Sequence, residues 1–189
     1  MGLGGWIALG VLALVLVYAI AVYNGLVRLR ALVREGFSGI TVQLRRRADL
    51  IPNLVSTVEG YATHERNVLT EVTAHRTDAT QARGVEATAQ ADHAFSAMIG
   101  RLMAVAEAYP DLKADDNFRQ LQDELSEIEG ELQGARRYYN ATVRDMNTKV
   151  QSFPDVLVAK PMGFSEEPFY ADEDASILTA PKVSFGAKA

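Results

Sequence analysis

The residues best suited to chemistry in this sequence are its few histidines. His64-Glu65 begins like the helix of a zinc protease, in which a second histidine follows four residues later. Here that position is Val68, and His75 is the next histidine near the same helix face. A zinc site needs at least three protein ligands. We therefore expect both histidines to be polar helix positions and predict no bound metal.

Carboxylates are the second candidate. They occur as close pairs at Asp115 and Asp116, Glu127 and Glu129, and Glu166 and Glu167. The pairs near 115 and 127 are typical of a helix cap and a solvated helix face. The sequence has no cysteine, no phosphate-binding glycine loop and no Gly-x-Ser-x-Gly motif. We expect no catalytic residue and no cofactor, and hence a protein that is not an enzyme.

The segment from Arg45 to Val55 combines an arginine triplet with a proline inside a helical pattern. Apolar residues recur at steps of three and four through it, provided that Arg47 occupies one slot of the stripe. Pro52 removes one backbone hydrogen bond but leaves the phase of the stripe unchanged. This predicts a continuous helix with a kink at Pro52. The alternative is a true break at Ile51, because the residue before proline avoids helical dihedrals.

Two interpretations of this segment remain open. In the architectural one, Asp49 pairs with an arginine one turn away and Asn53 satisfies backbone groups freed by Pro52. In the functional one, the kink is a contact point for a partner or a neighbouring subunit. The triplet Arg45, Arg46 and Arg47 is by default expected to be a solvated helix face or a docking patch. The triplet starts 22 residues after Tyr23, or about 33 Å along a straight helix, which places it well beyond the lipid head groups.

Composition limits the class of protein. The chain has 189 residues, 48% of them hydrophobic, and a formal net charge of −5. That charge argues against a general nucleic-acid binder, so we expect no nucleic acid among its partners. Residues 28–47 nevertheless carry six arginines and one glutamate, whereas residues 154–189 carry six acids and three lysines. A basic segment that follows an apolar one is typical of a membrane surface.

The apolar segment is at the N-terminal end. Residues 1–27 contain no Asp, Glu, Lys, Arg or His, and the run from Trp6 to Tyr23 is 18 residues long. As a helix this run spans about 27 Å, close to the hydrocarbon thickness of a bilayer. Trp6 and Tyr23 have the position of interfacial anchors. The alternative is a cleaved signal peptide, since Ala19-Ile20-Ala21 resembles a cleavage site, but no positive charge precedes the run.

Orientation follows from the arginines after the span. Arg28, Arg30 and Arg34 all lie on its C-terminal side, so the positive-inside rule predicts a cytoplasmic C-terminal region. The same arginines can contact anionic lipid head groups. We expect a single-pass protein of the membrane with lipid as one partner.

The rest of the chain predicts long amphipathic helices. The first continues to Arg83, the second covers about 85–109, and the third, capped by Asp115 or Asp116, ends at Phe153-Pro154. The fold class is therefore all-α: an anchor (residues 1–25), an antiparallel bundle of three to four helices (26–153) and an extended acidic and aromatic tail (154–189). The tail aromatics either pack on the bundle or bind a partner; they are Phe164, Phe169, Tyr170 and Phe185.

Several short motifs, in this order along the chain, resemble the signature of the LemA family. They are Tyr23-Asn24, Leu29-Arg30, Val42-Gln43-Leu44, Arg46-Arg47, Asp49 to Val55, Gly60-Tyr61-Ala62, Ala106 to Ala114, Asn117-Phe118, Ala135-Arg136, Tyr139-Asn140 and Phe153-Pro154. The resemblance implies a bacterial single-pass membrane protein with a helical bundle and no catalytic residues to carry over. One branch of that family takes part in forming magnetosome membranes, which implies a role in membrane organisation.

Two functions from different classes remain. In the first, the protein forms a homo-oligomer that organises or shapes the bacterial cytoplasmic membrane, because the span has a small-residue face and the stripes suit helix–helix contact. That face consists of Gly10, Ala13, Val17 and Ala21. In the second, the protein is an anchored adaptor that presents Arg45 to Arg47 and the tail to a soluble or signalling protein of unknown identity.

Overall fold

The computed structural model describes residues 2–62 and 65–170, which form helices without any strand. The all-α prediction is confirmed. The six helices of these residues are α1 (Leu3–Tyr61), α2 (Arg66–Gln81), α3 (Val85–Glu107), α4 (Pro110–Ala114), α5 (Asp116–Gln151) and α6 (Val156–Ala159).

The backbone of the fold is an antiparallel pair formed by α1 and α5. Contacts between them keep one register along the whole length of α5. They join Gly25 to Lys149, Gly36 to Tyr139, Arg46 to Glu131 and Tyr61 to Asp115. The N-cap of α5 is Asp115, as expected, whose Oδ1 accepts from the backbone N–H of Phe118 at 2.9 Å. Asp115 also accepts a hydrogen bond from Tyr61 at 3.0 Å, which ties the end of α1 to the start of α5.

The bundle contains four helices, but the fourth is not one half of a first helix bent at Pro52. The first helix does not continue to Arg83: it ends at Tyr61, and α2 runs back along α1 as a separate helix. Arg76 of α2 thus reaches Ala48 of α1, and Arg101 of α3 reaches Glu71 of α2 at 3.1 Å. The bundle therefore consists of α1, α2, α3 and α5.

The core has two parts along the axis of α1. The part distant from the span is enclosed by all four long helices and centres on large buried side chains; these include Ile51, Leu54, Phe95, Leu102 and Phe118. The part close to the span is built mainly from α1 and α5 and begins at Val22, which is 4% exposed. Because two helices cannot enclose a core alone, a third element must cover this part.

That third element is the start of the tail. Residues 154–163 turn at the end of α5 and contain α6, whereas residues 164–170 run without helix, as predicted for the tail, along α1 and α5. Phe164 and Tyr170 are buried, so these two aromatics pack on the bundle, while Phe169 is half exposed. Phe185 lies outside the described residues.

The division of the chain at residue 25 stays a prediction. α1 passes through this position without interruption, so the span and the bundle share one helix of 59 residues, about 88 Å long.

Candidate functional site

The first functional surface is the exposed N-terminal part of α1. From Leu3 to Tyr18 every large apolar side chain is at least 40% exposed. Among the described residues, only α1 contains a stretch long and apolar enough to cross a bilayer. Trp6 and Tyr23, the two predicted anchors, are both exposed and lie about 26 Å apart along the helix. This spacing matches the distance between the two interfaces of a membrane.

The arginines that follow the span separate into two kinds. Arg28 and Arg34 are exposed, in the position expected for contact with head groups. Arg30 donates a hydrogen bond to the backbone oxygen of Gly163 at 3.1 Å, and its guanidinium lies 4.2 Å from the centre of the Phe164 ring. Arg30 therefore holds the tail at the base of the bundle. Contact of these arginines with lipid stays a prediction.

The arginine triplet does not form one surface. Arg45 is exposed, and Arg46 pairs with Glu131 of α5 at 2.5 Å, where both side chains are more than 40% exposed. Arg47 is only 1% exposed, so the expectation of a solvated face or docking patch is wrong for this residue. The reason is geometric: Arg47 stands at a position where the helical spacing of the stripe calls for an apolar residue, and that position faces the core.

The polar groups around Pro52 find partners within the chain. α1 continues through Pro52, so the helix does not break at Ile51. The carbonyl of Ala48, which loses its helical donor to the proline, accepts a hydrogen bond from Arg76 Nε at 2.6 Å. Asn53 is exposed and does not fill this role, and Asp49 pairs with Arg76 of α2 at 3.7 Å and not with an arginine of α1. One arginine of α2 thus replaces both partners proposed from the sequence.

Arg47 belongs to a buried charge cluster, which we define as Arg47, Asp92, Glu129, Arg136 and Tyr170. Asp92, 1% exposed, forms ion pairs with both arginines. Glu129 accepts from Arg47 at 2.8 Å and lies 3.8 Å from Arg136. The Tyr170 hydroxyl donates to Asp92 at 2.7 Å. The cluster joins α1, α3, α5 and the tail.

The charges of this cluster balance. Two guanidinium groups face two carboxylates, and buried charges are tolerated when they are paired and hydrogen-bonded in this way. Burial alone disfavours the charged form of Arg136, but its pKa is raised because the charges of Asp92 and Glu129 outweigh burial. The pKa of Tyr170 is raised chiefly by burial and further by Asp92, so its phenol stays neutral and donates. The arrangement holds elements together and offers no activated nucleophile.

The sequence did not predict this cluster: its pattern assigns Glu129 to a solvated helix face, singles out Arg136 and Tyr170 for other reasons, and does not single out Asp92. Asp92 lies three residues before Phe95, which is buried in the core, so helical phase alone would have placed it there. Glu129 and Arg136 follow directly after Ile128 and Ala135, which pack in the core. Tyr170 has no periodic signal, because it lies in a segment without helix. Of the histidines weighed as metal ligands, His75 is 3.9 Å from Asp78, and His64 lies outside the described residues.

Alkaline pH should destabilise the fold through Tyr139. This side chain is buried and donates to the backbone oxygen of Pro168 at 2.8 Å. Burial, with a further contribution from the charge of Glu167, raises the pKa of Tyr139 to about 12, above the ordinary value for tyrosine of about 10. The folded state thus favours the neutral phenol, and this contribution is complete below pH 10 and lost as the pH rises towards 12.

We expect the free energy of unfolding to fall by about 1.4 kcal/mol per pH unit on account of Tyr139 between about pH 10 and 12. Denaturation by guanidinium at a series of pH values measures this slope. Tyr139→Phe should reduce it, and an identical slope in that variant would contradict the assignment. Tyr23→Phe, at an exposed position, is the matched control and should leave the slope unchanged.

The sequence of this chain is similar to a known protein family and to several known proteins. The profile of the LemA family matches residues 36–185. Magnetosome protein MamQ 2 of Paramagnetospirillum magneticum is 25% identical over 179 residues, which cover 81% of this chain and 66% of that protein. Protein LemA of Metamycoplasma hominis is 28% identical over 142 residues, which cover 72% of this chain and 63% of that protein. The chain therefore spans just under two thirds of the length of these relatives.

Proposed function

Because this chain belongs to the LemA family, we propose that it is a non-enzymatic single-pass membrane protein whose helical domain self-associates to organise or shape the membrane. The family, the relatives and the exposed apolar stretch of α1 together indicate a membrane-associated helical protein. The observation that carries the proposal is the continuity of α1. Since α1 forms both the span and the first helix of the bundle, no linker separates the bundle from its anchor.

Self-association through the span has support in the surface of α1. The face formed by Gly10, Ala13, Val17 and Ala21 is exposed along its whole length. A Cβ atom added at Gly10 would meet no atom of this chain within 4 Å. Small residues allow two membrane helices to approach closely, so this face suits contact with the span of a second copy.

The name of one set of relatives supports a role at a membrane structure. The MamQ proteins are described as magnetosome proteins. We place this chain in the bacterial cytoplasmic membrane, with lipid and further copies of itself as partners. The exposed Arg28 and Arg34 favour a cytoplasmic bundle by the positive-inside rule.

The mass of the full-length particle tests this function. We expect mass photometry in nanodiscs and in mild detergent to give a discrete oligomer. Gly10→Ile with Ala13→Ile should shift the distribution towards monomer, because larger side chains separate the two helices. Leu12→Ile, on the opposite side of the span, is the matched control and should leave the mass unchanged. A strictly monomeric wild type in both environments would overturn the proposal.

The adaptor function is the alternative, and one observation favours it. A groove of about 650 Å³ opens between α1 and α2 at the end of the bundle farthest from the span, lined by Val55, Glu59, Arg66 and Leu69 among others. The surface named from the sequence is weaker, because Arg46 and Arg47 are engaged within the chain. In the mass experiment, a monomer that retains a soluble protein at fixed stoichiometry would favour the adaptor.

A further inference from the structure

The segment that follows α5 exposes an unusual amount of apolar surface. We define the base loop as residues 153–162. Its exposed fractions are 80% for Phe153, 65% for Leu157 and 57% for Met162. Its two prolines are also exposed, and its only charged residues are Asp155 and Lys160. Isolated apolar side chains at a surface are ordinary, but a contiguous group of this kind indicates a binding surface.

The position of the base loop identifies what it binds. The loop lies against the span: a cleft of about 520 Å³ between them is lined by Val15, Tyr18 and Ala19 on one side and by Pro154, Leu157 and Met162 on the other. The apolar surface of the loop is therefore continuous with the surface of α1 that faces lipid. An apolar cleft open to water would be unfavourable, whereas an acyl chain fits one of this kind.

The depth of the loop agrees with this location. Tyr18 lies five residues before Tyr23, which corresponds to roughly 7–8 Å along the helix. If Tyr23 marks the interface, the base loop reaches that distance below it. Interfacial elements that lie in a membrane without crossing it insert their apolar side chains about 5–10 Å below the head groups.

The charges of the base loop are arranged for this environment. The Asp155 carboxylate accepts from Lys149 Nζ at 2.9 Å and also from the Tyr18 hydroxyl, so its charge is balanced within the protein. Lys160 is exposed, and its long side chain can extend its ammonium group to the head groups. Directly after the loop, Arg30 binds Gly163 and returns the chain to the bundle.

We propose that the base loop inserts beside the span into one leaflet and binds the acyl chains of membrane lipids. The protein would then contact the bilayer at two places, one that crosses it and one that enters only the leaflet next to the bundle. An element that enters only one leaflet enlarges that leaflet relative to the other. This inference rests on the membrane anchorage of the proposed function and deepens it, because it identifies lipid as the ligand of a second surface.

Lipid-quenching experiments test the insertion, and the absence of cysteine from the sequence makes labelling straightforward. Leu157→Cys, and separately Met162→Cys, carry an environment-sensitive fluorophore on the full-length protein in nanodiscs of phosphatidylcholine and phosphatidylglycerol. Lipids brominated on their acyl chains act as quenchers. Leu12→Cys in the span is the positive control, and Asp123→Cys on α5 is the control for a bundle position in water.

We expect quenching at 157 and 162 of the same order as at 12, and several-fold stronger than at 123. Quenching at 12 with unquenched labels at 157 and 162 would overturn the proposal and leave the anchor intact. Failure of quenching at 12 would contradict membrane anchorage itself, and with it the proposed function. Circular dichroism of each labelled protein checks that the helices are unchanged.

Discussion

Asp92→Ala is expected to lower the free energy of unfolding by about 3–5 kcal/mol, the typical cost of removing one partner from a buried ion pair. Asp92 is the only carboxylate within the buried charge cluster that contacts both arginines by an ion pair and also accepts from Tyr170. Without it, Arg47 stays buried with one carboxylate for two guanidinium groups. A change of this size is a large part of the stability of a typical domain.

Guanidinium denaturation of the full-length protein, followed by circular dichroism, measures this loss. Arg46→Ala is the matched control, because it removes an ion pair from the adjacent position of α1 that is exposed on both sides. Exposed pairs contribute less than about 1 kcal/mol. Equal losses in the two variants would show that the buried charge cluster does not stabilise the fold.

A double variant sharpens the result. Tyr170→Phe removes only the hydroxyl that donates to Asp92, and by itself should cost about 1–2 kcal/mol. Combined with Asp92→Ala it should add little, because the hydroxyl has then already lost its acceptor. If the two losses in free energy of unfolding simply add, Tyr170 and Asp92 do not stabilise each other.

The second large effect concerns the closest approach of α1 to α5. A Cβ atom at Gly36 would lie 3.1 Å from the Cα atom of Tyr139. The obstacle is backbone, and the Tyr139 side chain is fixed by ring contacts with Phe37 and Tyr170 and by its bond to Pro168. Gly36→Leu must therefore separate the two helices, and we expect a loss of about 3 kcal/mol, as for overpacked cores.

Gly39→Ala is the control for this prediction. It lies less than one turn further along α1, and a Cβ atom there would meet nothing within 4 Å. Alanine should therefore stabilise the helix by about 0.5–1 kcal/mol. Gly36→Ala should show the opposite sign. Thermal unfolding of the three variants measures both effects, and stabilisation by Gly36→Ala would contradict the close approach.

Helical spacing was sufficient for much of the fold. Steps of three and four residues predicted α5 almost to its ends, and the unchanged phase across Pro52 predicted that α1 continues through it. These predictions succeed because the apolar stripe and the helix have the same period, so that burial reinforces local preference. The N-cap at Asp115 succeeded for a local reason as well, since its carboxylate accepts from a free backbone N–H in the first turn of α5.

For Arg47, the helical spacing indicated the correct position in the core, whereas its charge suggested a position in solvent. The sequence predicts a solvated face or a docking patch for Arg47, although its slot in the apolar stripe faces the core. Its burial depends on Asp92 and Glu129, which are 45 and 82 residues away in sequence. A single sequence shows the slot but not the partners, so the cost of burying the charge cannot be judged from α1 alone.

Two features had no local signal. α1 ends at Tyr61 and α2 begins at Arg66, but the sequence has no proline between them and the apolar stripe continues into α2, so the pattern resembles one long helix. Residues 164–170 pack against the bundle through single side chains and hydrogen bonds to Asn140 and Asn147, which have no periodicity to detect. Both depend on contacts between distant segments, which only the folded chain defines.

The continuity of α1 also fixes how the bundle is rotated, about the helix axis, relative to the faces of the span. Each residue of an α-helix turns by about 100°, so the rotation from Gly10 to any position of the bundle is set by the number of residues between them. The base loop covers one side of the span, and the small-residue face points to the other. Two copies joined by their small-residue faces would hold their two bundles in a single relative orientation and direct their base loops outward. Because both copies present the same face, this contact closes as a two-fold dimer, and the rotation of one bundle relative to the other is then set by the helix itself.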